Sequence, residues 1–116
     1  MTPSELAIMQ GRLDRLQTIP VGWDGANAVP VHADCVAFGR TLLEACGFHT
    51  IPIPVTVPTG DAGLQLNWHN ADYEIEIIIL GTQNGTARRV NFATGQPETR
   101  PLTDPVAALA AWLVAP

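Results

Sequence analysis

Apolar positions recur at a helical interval near the start of the chain, alternate with polar ones through the middle, and return to a helical interval near residue 106. Leu6, Met9, Leu13 and Leu16 are spaced by three, four and three residues, the stripe of an amphipathic helix. Thr2, Pro3 and Glu5 stand before it as N-cap, first helical residue and the acid of a capping box. This helix should end near Thr18, because Pro20 disfavours helical geometry at Ile19. A second helix is predicted from about His32 to Cys46, with Cys35, Phe38, Leu42, Ala45 and Cys46 on one face. Gly47 would close it in a left-handed conformation, and Phe48 would fold back on its last turn. A third helix would be capped by Thr103 or Asp104, with Pro105 at its first position and an apolar stripe of Val106, Leu109, Trp112 and Leu113.

Between the second and third helices, a period of two appears four times. The runs are Ile53, Val55, Val57; Leu64, Leu66, Trp68; Tyr73, Ile75, Ile77, Ile79; and Arg88, Val90, Phe92. Turn residues separate them: Gly60-Asp61, Asn70-Ala71 and Asn84-Gly85, the last a strong two-residue hairpin signal. These turns set Val57 against Leu64, Trp68 against Tyr73 and Ile79 against Val90, apolar facing apolar throughout. Pro52, Pro54 and Pro58 place the first strand at a sheet edge. Residues 94–102 read as a loop. The fold class is α+β: one domain over 1–116, a four-stranded antiparallel meander with helices on one face, in the order ααββββα.

The alternate positions define the other sheet face. Gln65, Asn67, Glu74, Glu76, Ile78, Leu80 and Arg89 fall on it, together with Thr56, His69, Asp72 and Asn91. In the registers above Ile78 faces Asn91 and Leu80 faces Arg89. Such a mixed surface is either an ordinary solvated face or a partner-binding one.

Composition narrows the function classes. The chain has 116 residues, 47% hydrophobic and 15% charged, with a net charge of -5. Lysine is absent, and the six arginines, at 12, 15, 40, 88, 89 and 100, form no run. Phosphate neutralisation needs clustered cations, so direct nucleic-acid binding is disfavoured. No apolar run reaches membrane-span length. The first residues have neither the basic nor the long apolar region of a secretory signal. Cys35 and Cys46 would be small buried hydrophobes about 16 Å apart along one helix, beyond disulfide reach. A reduced, cytoplasmic setting is expected.

Residues 22–25, Gly22-Trp23-Asp24-Gly25, hold the most suggestive cluster. The favoured reading is a folded elbow: Trp23 plugs the gap between two helices and the sheet, Asp24 makes an Asx turn, and the glycines supply positive φ. The alternative is a ligand loop, with Trp23, Asp24 and His49 lining a pocket. His69, Asp72 and Glu74 cluster at one hairpin, but no second histidine or cysteine stands at ligand spacing, so a His69–Asp72 hydrogen bond is expected rather than a metal. Glu74 and Glu76 could act as an acid–base pair, yet adjacent acids on a strand more often solvate it or contact a partner. Ser4 is the only serine, and no nucleophile motif, P-loop or dinucleotide fingerprint is present. No catalytic residue, metal ligand or cofactor is expected.

The elbow, the Gly60-Asp61-Ala62-Gly63 turn, the Leu64-Gln65-Leu66-Asn67-Trp68 strand and the Tyr73–Ile77 strand together resemble a set of short bacterial proteins, often carried on mobile elements. The resemblance covers roughly residues 6–80. It implies a role in conflict between such elements and their hosts, as an antitoxin, immunity factor or inhibitor. It supplies no catalytic residue. The expected function is a non-enzymatic protein-interaction module. The alternatives are a small-molecule binder or small enzyme using the Trp23 loop, and a homodimer formed through the sheet face or through Trp112 on the final helix.

Overall fold

The computed structural model describes residues 2–47 and 52–115. The readings on Phe48 and His49 lie outside them. The chain folds as α1 (Pro3–Leu16), α2 (Ala33–Cys46), β1 (Val55–Pro58), β2 (Leu64–His69), β3 (Tyr73–Gly81), β4 (Asn84–Asn91), β5 (Pro97–Pro101) and α3 (Val106–Leu113). The strands form one antiparallel sheet in the order β1-β2-β3-β4-β5. The α+β class and the meander stand. The sheet has five strands rather than four, because the segment read as a loop pairs with β4 from Val90↔Pro97 to Thr86↔Pro101. Two prolines and no apolar alternation concealed that strand.

The helices begin and end largely for the reasons their sequences give. The Thr2 hydroxyl accepts the Glu5 N–H and the Glu5 carboxylate accepts the Thr2 N–H, each at 3.1 Å. This double bond satisfies two of the donors that a helix start leaves over. It also holds the Glu5 carboxyl below the usual range. Met9 and Leu13 are buried, flanked by Leu6 and Leu16. His32 caps α2, its Nδ1 accepting the Asp34 N–H at 3.1 Å, and Gly47 ends it at φ 82°. Ala45 faces solvent, while Val36 and Leu43 join the core. The buried side of α2 is wide because α2 touches α1, α3, β2 and β3. Gly39 permits that approach, since a Cβ there would stand 3.0 Å from Leu64. Helix α3 has no side-chain cap, and its N-cap is Pro105 rather than Thr103 or Asp104.

Three registers differ from the sequence reading. Leu66 pairs with Ile77 and Trp68 with Ile75, two residues on from the expected partners. The Asn70 side chain accepts the Asp72 and Tyr73 N–H groups at 2.8 and 2.9 Å and so builds a longer connection. An even displacement leaves every side chain on its face. The β1–β2 register is displaced by one, so Val55 and Val57 lie outward and Pro54 and Thr56 inward. Positive φ at Gly60 and Ala62 widens that turn. The β3–β4 hairpin departs furthest. Ile79 faces Gly85 instead of Val90, and the two-residue loop is Thr82-Gln83. Asn84-Gly85 therefore opens β4 instead of forming the turn. The register shifts between Ile79 and Gly81, leaving Leu80 as an extra residue on β3. An odd displacement reverses β4, turning Ala87 and Arg89 inward and Arg88 and Val90 outward.

The inner face carries Leu64, Leu66, Trp68, Ile75, Ile77, Ile79 and Ala87 beneath the helices, in one cluster of buried side chains. At about 25 cal/mol per Å² of apolar surface, this cluster supplies the main force holding sheet and helices together.

Candidate functional site

The outer face of the sheet has no helix against it among the described residues. Its side chains stand in cross-strand rows. One row is Val57, Gln65, Ile78, Thr86 and Pro101; the next is Val55, Asn67, Glu76, Arg88 and Thr99; a third is His69, Glu74, Val90 and Pro97. Leu80 adds an aliphatic side chain from its bulge and is 52% exposed. The face is thus a polar and charged middle row between two partly apolar ones. Gln65 donates to Asn67 at 3.1 Å. Glu76 and Arg88 are directly opposed on neighbouring strands, yet neither makes an ion pair or side-chain hydrogen bond among the described residues.

The structure brings together Gln65, Asn67, Glu74, Glu76 and Ile78 as the sequence predicts, with Leu80 at their margin. It removes Arg89. That side chain is on the inner face, 8% exposed, donating to the main-chain carbonyls of Trp112 at 2.8 Å and of Ala115, with its guanidinium 5.8 Å from the Tyr73 ring. A cation at the carbonyl end of a helix satisfies groups the helix leaves open and suits its dipole. Arg89 is therefore a structural residue, the C-terminal anchor of α3. Its neighbour Arg88 takes the outer position, joined by Val90, Val55 and Val57. The sequence reading missed all four through the β1 and β4 registers. The glycines on either side of Thr82-Gln83, Gly81 and Gly85, were the available clue. Phe92, expected inward, is 43% exposed and sets its ring edge-on to His69 at 5.7 Å.

The two sheet edges share a pattern. Edge strand β1 carries Pro54-Val55-Thr56-Val57-Pro58 and edge strand β5 carries Pro97-Glu98-Thr99-Arg100-Pro101. The Thr59 N–H reaches Gly63 and the Leu102 N–H reaches Gly85. These bonds fix which residues point their N–H groups inward along each ladder. Residues 54, 56 and 58 and residues 97, 99 and 101 are the outward ones. Proline fills four of those six places, leaving only Thr56 and Thr99 with an outward N–H. An incoming strand needs a row of donors, so both edges resist strand addition.

The elbow between α1 and α2 is built by internal bonds. Asp24 accepts the Ala26 and Ala28 N–H groups at 2.9 and 3.3 Å, and Gly22 and Gly25 have φ of 77° and 82°. The Trp23 indole N–H donates to the Val29 carbonyl at 3.2 Å. Trp23 does not plug the core: it is 38% exposed and closes over its own loop. The loop exit is fastened to the β1–β2 turn, where Val29 and His32 donate to Gly60 and Ala62 at 3.0 and 2.9 Å. Asp61 lies in this turn beside the Thr59 hydroxyl, which holds its carboxyl below the usual range.

The remaining candidates resolve simply. At the β2–β3 turn, Asn70 makes the side-chain bonds in place of a His69–Asp72 pair. Among the described residues, no group of three or more His, Cys, Asp or Glu side chains could hold a metal. Nor is any helix among them long and apolar enough to cross a membrane. Cys35 and Cys46 are buried at opposite ends of α2, and burial pushes the Cys46 thiol up to about 11. A groove of about 260 Å³ opens beside Arg89, lined by Asn91, Thr94, Gln96 and Glu98. Much of its polar lining is committed internally: Glu98 accepts the Trp112 indole N–H at 2.9 Å, and Asn91 accepts the Ala93 N–H. Comparison with protein-family models, with curated proteins and with solved structures found no match to this chain.

Proposed function

We propose that this chain is a non-enzymatic protein-binding module whose outer sheet face is the contact surface. One observation carries the reading: the face with Gln65, Asn67, Glu74, Glu76, Ile78 and Arg88 has no helix against it among the described residues, while prolines block both edges of the same sheet. With strand addition disfavoured, side chains of the face are the natural means of recognition. The acidic balance and the single arginine on the paired rows of this face support a protein partner rather than nucleic acid. The resemblance to short mobile-element proteins extends the proposal to an inhibitor, antitoxin or immunity-type factor acting in the cytoplasm.

The test is capture from host lysate with the parent chain and with a Glu74→Lys/Glu76→Lys variant. Among the described residues neither carboxylate takes part in a side-chain hydrogen bond or ion pair, so the variant should melt close to the parent. A protein retained by the parent and lost with the variant supports the face; equal retention by both removes it.

A second reading rests on the exposure of Trp23, which leaves part of an indole available for stacking on a small ligand. Trp23→Phe separates the two. Loss of ligand affinity with an unchanged melting temperature favours a ligand loop. A lower melting temperature with partner capture intact favours the elbow.

A further inference from the structure

The geometry points to a second copy of this chain as an occupant of the outer face, an inference that rests on the face being the binding surface. Glu76 on β3 and Arg88 on β4 stand side by side in the middle row, opposite in sign and unengaged among the described residues. A two-fold axis running parallel to the strands, between β3 and β4, lays the β3 of one copy over the β4 of the other. Glu76 then meets the second copy's Arg88, and Arg88 meets its Glu76. One rotation pairs both charges twice, the self-complementarity that an isologous contact requires. In the same arrangement Ile78 covers the methyl-bearing Thr86 of the second copy. An axis perpendicular to the strands would set Glu76 on Glu76 and Arg88 on Arg88, which like-charge repulsion opposes. The charge pattern therefore selects one of the two simple face-to-face dimers.

Other routes to self-association are less open. The prolines block edge-to-edge pairing, as described above. Trp112 on α3 is engaged within its own chain, its N–H on Glu98 and the Arg100 guanidinium 5.7 Å from its ring. Strand spacing and rise give the paired part of the face roughly 20 by 20 Å. A contact of that size buries about 800 Å² over both copies, which belongs with weak, reversible association. Dimerisation is accordingly expected in the micromolar range and responsive to salt.

The experiment is sedimentation velocity on the full chain from about 1 to about 500 µM, with Glu76→Arg, with Arg88→Glu, and with an equimolar mixture of those two variants. The parent should pass from monomer to dimer as concentration rises. Each single variant presents four like charges at its own interface and should remain monomeric. Their mixture should dimerise, because the two arginines of one copy then meet the two glutamates of the other. Mixing also controls for folding, since an unfolded variant could not restore the dimer. A parent that stays monomeric overturns the inference. So do single variants that dimerise as the parent does, or a mixture that stays monomeric. None of these results touches the lysate capture, whose failure would count against the binding face itself.

Discussion

The two hairpins that share β3 are held in register by different devices. In β2–β3, the Asn70 side chain builds the turn by accepting two backbone N–H groups. In β3–β4, the backbone itself decides. Gly85 sits at φ 135°, and a Cβ there would lie 1.9 Å from the Ile78 carbonyl oxygen. The first device is an added hydrogen-bonding side chain; the second is the absence of any side chain. A missing cap leaves donors that water can serve, whereas a collision with backbone cannot be relieved without moving a strand. The β3–β4 hairpin should therefore tolerate far less change.

Gly85→Ala is the most direct way to break that hairpin. The methyl group cannot coexist with the Ile78 carbonyl, and alanine resists the positive φ. A loss of about 3 kcal/mol or more is expected in urea unfolding, with a shifted or disordered β3–β4 ladder in amide exchange. If the loss stays under about 1 kcal/mol, β4 has another register available and its face assignment fails.

Arg89 and Arg88 sharpen the comparison within β4 itself. They are adjacent and identical in type, but point to opposite faces. Arg89→Met should cost about 2–3 kcal/mol, because two charge-assisted bonds to the end of α3 are lost. The gain from removing its buried Nε, which has no hydrogen-bond partner among the described residues, keeps the cost from rising higher. Arg88→Met should stay within about 0.5 kcal/mol, the ordinary range for an exposed site. Chemical denaturation of the two variants gives the comparison directly. Costs in the reverse order, with Arg88→Met the larger, would return β4 to the register that Asn84-Gly85 suggests.

The same contrast accounts for how much of the structure was legible in the sequence. Helix α1, helix α2 and the faces of β2 and β3 could be read, because capping residues are local and the β2–β3 displacement was even. The inner and outer sides of β1 and β4 could not. There the turn residues pointed to a shorter or later loop, and an odd displacement reversed every side chain. Apolar residues on both sides of the true register disguised the error, since Val55, Val57 and Val90 read as naturally inward as outward. Strand β5 carries no apolar alternation, and its prolines read as a loop until the edge position explains them. The candidate site survived in part for the same reason. Its members on β2 and β3 stayed together, while Arg89 exchanged places with Arg88. The elbow was legible in Asp24 and its glycines but not in Trp23, whose partner is a carbonyl six residues on in its own loop.

Asn70→Ala tests the weaker device. Two backbone donors lose a side-chain acceptor, but they lie at an exposed turn where water can replace it. A cost of about 1 kcal/mol is expected, comparable with loss of a helix cap. The register should persist, because Leu64, Leu66 and Trp68 are buried opposite Ile79, Ile77 and Ile75. A larger loss would mean that the turn, and not the buried rows, holds the hairpin.

The β1–β2 connection combines the two devices, with positive φ at Gly60 and Ala62 and a Thr59–Asp61 side-chain bond, and its polar part should have the smallest effect. The Thr59 hydroxyl lowers the Asp61 carboxyl in the native state, with smaller help from backbone N–H groups. A lowered native value means that the unfolded chain takes up this proton first as the pH falls. The contribution is complete above the ordinary aspartate value and disappears as the pH drops through the lowered native one. Asp61→Asn keeps an acceptor for Thr59 but removes the charge. Its urea midpoint should lie slightly below that of the parent at pH 7, and the gap should close on acidification as Asp61 of the parent becomes neutral. A gap that widens toward low pH would show that Asp61 is better bonded when protonated. The side-chain bond would then support the left-handed backbone at Gly60 and Ala62 without its charge, whereas β3–β4 owes its register to Gly85.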